Sequence, residues 1–176
     1  MHPALQIAQL LSVLKIVSGR KKLQKLVHIL QELGYPFSEQ FDYSHYGMYS
    51  RELRSELTSL VEENLVTERE GTNQYGNSSF TFEATPQLGP LLTEIGLDPQ
   101  PAWARAATKL DSYPAQALEG ISTILFLRRC GLQGDQLKQR LLSLKPHLAD
   151  QYDYCLRETD SVVQTLTAPR DVALTA

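Results

Sequence analysis

Between Ser50 and Thr85 the spacing of apolar residues changes from helical to alternating, and no other feature of the chain constrains its fold as tightly. Leu53, Leu57, Leu60 and Val61 recur at steps of three and four, so they line one side of a helix that closes at Leu65. Ser50 stands where a side-chain oxygen can cap that helix, and Glu52 puts a carboxylate in its first turn, where the helix dipole favours one. Val66-Thr67-Glu68-Arg69-Glu70 then runs into a stretch rich in Gly, Asn and Ser from 71 to 79, after which Phe80-Thr81-Phe82-Glu83 alternates. A period of two on the return side of a turn-rich loop predicts a β-hairpin with Phe80 and Phe82 facing inward.

Two further helices precede this unit. Residues 3–17 carry Leu5, Leu10, Leu11, Val13, Leu14 and Val17, until Ser18-Gly19 breaks the pattern. Leu23, Leu26, Val27, Leu30 and Leu33 form the stripe of the second helix, which Gly34 and Pro36 end. Phe41 to Tyr46 alternates like a short strand before Gly47 turns the chain. Three helices followed by a two-stranded hairpin is the order of a winged helix. Thr85-Pro86 opens one more short helix that stops near Gly96, and Asp98-Pro99-Gln100-Pro101 marks a boundary. The expected class is therefore mainly α, of the α+β type. A winged-helix-like domain with a small hairpin covers 1–97, a helical segment covers 102–167 and a flexible tail covers 168–176.

Within the later helices, Ile124-Leu125-Phe126-Leu127 makes the segment from Pro114 to Cys130 apolar on every side. Such a helix has to be covered from several directions, by its own chain or by a second subunit. The second choice predicts a homodimer through Ile121, Ile124, Leu125, Phe126 and Leu127. The last helix gathers Leu148, Tyr152, Cys155, Leu156, Val163 and Leu166 on one broad face.

Composition narrows the function. The 176 residues are 42% hydrophobic and 21% charged, an ordinary globular balance, and the formal net charge of −3 excludes a uniformly basic nucleic-acid binder while leaving local clusters open. Cys130 and Cys155 are far apart and outside any CxxC pattern, which argues for free thiols in a reducing compartment. The N-terminus lacks the basic flank and apolar core of a signal peptide, and no apolar window is long enough to span a membrane. The expected location is the cytoplasm.

One run breaks a local rule. Arg20, Lys21, Lys22 and Lys25 crowd the start of the second helix, where the dipole is already positive. Cations at a helix N-terminus suit a phosphate or a partner's carboxylate, and the plain alternative is a solvated basic face. At about 100° per residue, Lys21, Lys25 and His28 fall opposite the leucine stripe. On the third helix Arg51, Arg54, Ser55 and Thr58 lie opposite its leucines, where a winged helix would meet the major groove. Glu52, Glu56, Glu62 and Glu63 share that helix. The hairpin tip offers Asn73, Gln74 and Asn77 but no cation, and its strands carry Glu68, Glu70 and Glu83 against Arg69. Phe37, Phe41, Tyr43, Tyr46 and Tyr49, with His45 among them, could stack unpaired bases, although packing the corner between the second and third helices is the more ordinary use.

Catalytic patterns are missing. The four histidines have no metal-ligand spacing, and there is no GxSxG, P-loop or GxGxxG. Cys155 reads as a core thiol, and Glu62-Glu63 diverge by about 100° and cannot share a helix face. No catalytic residue, metal or cofactor is expected, and the chain is not read as an enzyme.

Gly19-Arg20-Lys21-Lys22-Leu23-Gln24-Lys25-Leu26, Gly34-Tyr35-Pro36-Phe37 and His45-Tyr46-Gly47-Met48-Tyr49-Ser50 resemble the YwgA family of small Bacillus-type proteins. More distantly they are similar to the Panacea group, which includes SocA-type antitoxins and proteolysis adaptors. The family's turn usually reads glycine-proline-tyrosine-serine, and Met48 stands in place of the proline. These motifs cover roughly the first 70 residues. The resemblance implies a small bacterial protein, and its distant arm implies a protein partner as well as DNA. Two expectations result: a non-enzymatic winged-helix regulator binding double-stranded DNA through Arg51, Arg54, Ser55 and Thr58 with the basic helix start, or a protein-interaction module on the same scaffold.

Overall fold

The computed structural model describes residues 3–72, 76 and 78–169. Asn73, Gln74 and Asn77 at the hairpin tip, and residues 170–176 of the tail, lie outside the described residues. The first helix, α1 (Pro3–Leu14), ends at Lys15, whose φ of 66° turns the chain into the short strand β1 (Ile16–Ser18). Next come α2 (Arg20–Glu32), the hairpin β2 (Asp42–Ser44) and β3 (Gly47–Tyr49), α3 (Arg51–Glu62), and the hairpin β4 (Val66–Thr72) and β5 (Ser78–Ala84). Helices α4 (Leu88–Glu94), α5 (Ala104–Asp111), α6 (Ala115–Arg129), α7 (Gly134–Leu144), a 3₁₀ turn over Pro146–Gln151 and α8 (Tyr152–Leu166) complete the chain. The α+β class is as expected.

The helix ends follow from their residues. Ser50 Oγ accepts the Leu53 N–H at 3.2 Å, the capping role its position predicted. At the end of α2, Gly34 takes a φ of 86° and the Tyr35 N–H closes onto the Leu30 carbonyl.

The sheet order is β1-β5-β4, with all neighbours antiparallel. Val17 and Glu68 flank Phe82 in register, so the three share a face, and Val17 and Phe82 are buried under the helices. The sequence pattern missed β1. Its three residues alternate exposed, buried, exposed, and one inward residue is too few to set a period. It also missed β3, whose Met48 pairs with Tyr43.

The helices after residue 102 do not form a unit of their own. Trp103, Ala107, Leu110, Leu118, Ile121 and Leu125 belong to the same buried cluster as Ile7, Leu10, Leu26 and Leu30. A second cluster joins Ile124, Leu127, Leu137, Leu141, Leu148, Tyr152 and Cys155. Helix α6 therefore stands between two cores, which explains why it is apolar all round. This corrects the expected dimer face. Ile121 and Ile124 are fully buried, Leu127 is 2% and Leu125 8% exposed, and the half-buried Phe126 is stacked by Tyr43 at 5.2 Å. The chain itself covers four of these side chains and part of Phe126, so the face expected for a second subunit is largely taken up within the chain.

The tail expectation also shifts at its first residue. Ala168 donates its N–H to the Leu33 carbonyl at 2.9 Å and packs against the core. Among the described residues no helix is long and apolar enough to cross a membrane.

Candidate functional site

The cations at the start of α2 meet three different fates, and tertiary partners decide each. Arg20 pairs with Glu68 at 2.7 Å and lies over the Phe80 ring, 3.6 Å from its centroid. Lys22 reaches both the carbonyl and the carboxylate of Asp111, at 2.6 and 2.7 Å. Lys25 is only 4% exposed and donates to the carbonyls of Tyr46 at 2.9 Å and Met48 at 2.6 Å. These contacts answer the unfavourable dipole with an anion, or with carbonyl oxygens, for every one of the three. Lys21 is exposed like Arg20 but has no ion pair among the described residues, its ammonium 4.7 Å from the Tyr46 ring centroid.

Lys25, expected as an anion contact, is thereby engaged inside the protein, and the solvated-face alternative fails for it and for His28. Both do lie opposite the leucines, but α2 runs through the middle of the molecule and is buried from Leu23 to Leu30. His28 meets Ser122 across 2.9 Å, packs edge-on against Phe41, and its burial lowers its pKa. Burial likewise pulls the Lys25 ammonium down to about 8, with Lys145 and Lys21 adding to the effect and Glu119 opposing it. A lowered lysine pKa is also a signature of a nucleophile. Here the amine is already committed to two backbone carbonyls, and what it does is tie the β2–β3 hairpin to α2.

A groove of about 1030 Å³ opens between the start of α2, the β2–β3 hairpin, α3 and the inner face of the sheet. Six of the eight expected contact residues line it: Arg20, Lys21, Lys25, Arg51, Arg54 and Thr58. The two basic clusters, 26 or more residues apart in sequence, thus meet in one concavity. Lys22 points away to Asp111, and Ser55 is exposed on α3 outside the lining. The floor is apolar, made by Leu57, Val61 and Phe82, while Tyr46 and Tyr49 stand at the hairpin side and Asp42, Glu62 and Glu68 supply the acids.

One residue that sequence reasoning passed over positions α3. The Gln24 carboxamide accepts the Ser50 N–H at 2.8 Å and donates to the Ser50 carbonyl at 2.9 Å, a buried two-bond clamp across the groove. A glutamine on the polar side of a helix gives no hint of this in sequence. The aromatic cluster divides in the same long-range way. Phe37 meets Trp103 and Tyr43 meets Phe126, so they join α2 and the first hairpin to the later helices, and Tyr46 is left 54% exposed at the groove. Among the described residues no group of three or more His, Cys, Asp or Glu could hold a metal ion.

The chain is 29% identical over 154 residues to a Bacillus subtilis (strain 168) protein described as "Uncharacterized protein YwgA", a match that covers 84% of this chain and 89% of the other. That bears out the resemblance to the YwgA family and extends it well past the first 70 residues where its motifs lie. No family model matches the chain, and no solved structure matches it.

Proposed function

We propose that this chain is a non-enzymatic regulatory binding module of winged-helix type, and that its groove holds a protein partner, as an antitoxin or adaptor would. One observation carries the choice of partner. Of the cations expected to meet DNA, three are engaged internally, and among the described groove residues Lys21, Arg51 and Arg54 are the cations with neither an ion pair nor a hydrogen bond to a backbone carbonyl. They surround an apolar floor rather than a convex polar ridge.

Non-specific duplex affinity grows with the number of phosphates neutralised, about −0.9 each in log K against log salt, and three cations with Asp42 and Glu62 beside them supply few such contacts. The strands that would form the wing expose Glu70 beside the half-buried Glu68. A protein surface, by contrast, gains from arginines and aromatics around an apolar centre.

Double-stranded DNA is kept as the second reading because of two features. The order of helices and strands, with sheet order β1-β5-β4, suits a winged helix, and Arg51 and Arg54 open α3 on the side of the groove. A gel-shift titration with random duplex at low salt, run beside affinity capture with wild type and a K21E/R51E/R54E variant, separates them. The expected result is no retardation and a captured protein that the triple variant loses. Retardation that falls steeply with salt, or a partner indifferent to the three reversals, overturns the proposal.

A further inference from the structure

We infer that the groove takes a short acidic segment of the partner, with paired carboxylates at the start of α3 and a large apolar side chain seated on Leu57, Val61 and Phe82. The inference rests on the protein-partner reading and specifies its chemistry.

The charges in the groove are sorted by position. Arg51 and Arg54 occupy the first turn of α3, and Lys21 stands on the facing turn of α2. Glu62 ends α3, about 16 Å further along at 1.5 Å per residue. Glu68, the acid nearest the sheet, is taken by Arg20 at 2.7 Å. At the arginine end the exposed Asp42 is the one lining acid, and no ion pair joins it to Lys21, Arg51 or Arg54. Three cations against one lining carboxylate leave that end positive, while Glu52, in the same first turn but outside the lining, offsets the dipole of the 12-residue α3. A carboxylate-bearing ligand complements this end, and a basic ligand does not.

The other half of the groove calls for an apolar group. Leu57 and Val61 follow Arg54 by one and two helical turns, with Phe82 across from them on β5. The distance from the arginines to the middle of the floor is therefore about 5 to 10 Å along the helix. An extended peptide advances roughly 3.3 Å per residue, so the anchor belongs two or three residues from the carboxylates. Arginine recognises a carboxylate bidentately, and burying one leucine-sized side chain contributes most of the remaining affinity.

The experiment uses the full chain, isotopically labelled, and the fluorescein-labelled peptide Gly-Gly-Glu-Glu-Ser-Leu-Gly-Ser at up to millimolar concentration. Two control peptides replace the leucine by serine or both glutamates by lysine. The expected outcome is backbone shift changes confined to Lys21, Tyr46, Tyr49, the span 51–62 and Phe82 with its strand neighbours, with at least about tenfold weaker binding for each control. R51E/R54E, two exposed positions that leave the core intact, should abolish binding while the circular dichroism spectrum stays unchanged. No shifts at millimolar peptide, equal binding by the serine control, or binding that survives R51E/R54E would each overturn the inference. A captured partner that needs Arg51 and Arg54 but whose cross-linked segment has no acidic residues overturns this inference and leaves the protein-partner reading standing. Duplex binding that R51E/R54E removes overturns both.

Discussion

Glu39 lies in the loop between α2 and β2 and is 1% exposed, with no hydrogen-bond partner for either carboxylate oxygen among the described residues. Glu56, on the adjoining face of α3, has a buried, unpartnered Oε2 of its own. Burial pushes the Glu39 carboxyl from 4.5 up to about 7, against the opposing pull of the nearby Glu39 and Ser38 backbone N–H groups, and the charges of Glu56 and Glu52 add to the rise. A shift of about 2.5 units corresponds to about 3 kcal/mol of difference between the protonated and ionised forms. The folded protein holds this proton more tightly than the unfolded chain, so stability is highest below the unfolded value. It falls as pH rises from about 4.5 to about 7, and above that the cost is fully present.

Glu39→Gln removes the titration and keeps the shape. The variant should match wild type near pH 4.5 and exceed it by up to about 3 kcal/mol near pH 8, or roughly 6 to 12 °C in melting temperature for a chain of this size. Urea and thermal unfolding followed by circular dichroism across that range measure it. An equal difference between variant and wild type at both ends of the range would refute the argument, because it would show that Glu39 ionises as freely folded as unfolded.

Other substitutions test the contacts that shape the groove. Gln24→Ala leaves both backbone groups of Ser50 unmet and should cost about 2 to 3 kcal/mol in urea unfolding, with weaker partner binding because α3 is no longer held at its start. Lys25→Met strips two carbonyls of their donor and should speed amide exchange in the β2–β3 hairpin. Because burial lowers Lys25 to about 8, wild type gains stability as pH rises from about 8 to 10.5, and the variant should lack that slope. Gly120→Ala would drive a Cβ into Cys155 Sγ and Cβ where α6 crosses α8, so it should lower stability by about 1 to 3 kcal/mol in the same unfolding assay.

Much of the local structure was legible in the chain. Ser50 was readable as a cap because a cap depends on residues three apart, and Gly34 as a stop because a left-handed residue is needed there whatever surrounds it. The alternation at Phe80 to Glu83 announced a strand with Phe82 inward for the same reason. The residues of the candidate site were largely visible too, since Arg20, Lys21, Arg51 and Arg54 broke or decorated helical patterns. Their meeting in one groove was not visible, and neither was the withdrawal of Lys22 and Lys25 from it.

Sequence alone settled the three leading helices, the β4–β5 hairpin and that α6 must be covered on all sides, because period, capping and apolarity act within a few residues, while the three-residue strands β1 and β3 were too short to show a period. Tertiary structure decided what covers α6, namely the chain itself, and which charges remain available. Glu68 answers Arg20 from 48 residues away, Asp111 answers Lys22 from 89, and the carbonyls of Tyr46 and Met48 answer Lys25 from 21 and 23. Pairings over such separations leave no period in the sequence, since either partner would carry the same helix or strand pattern without the other.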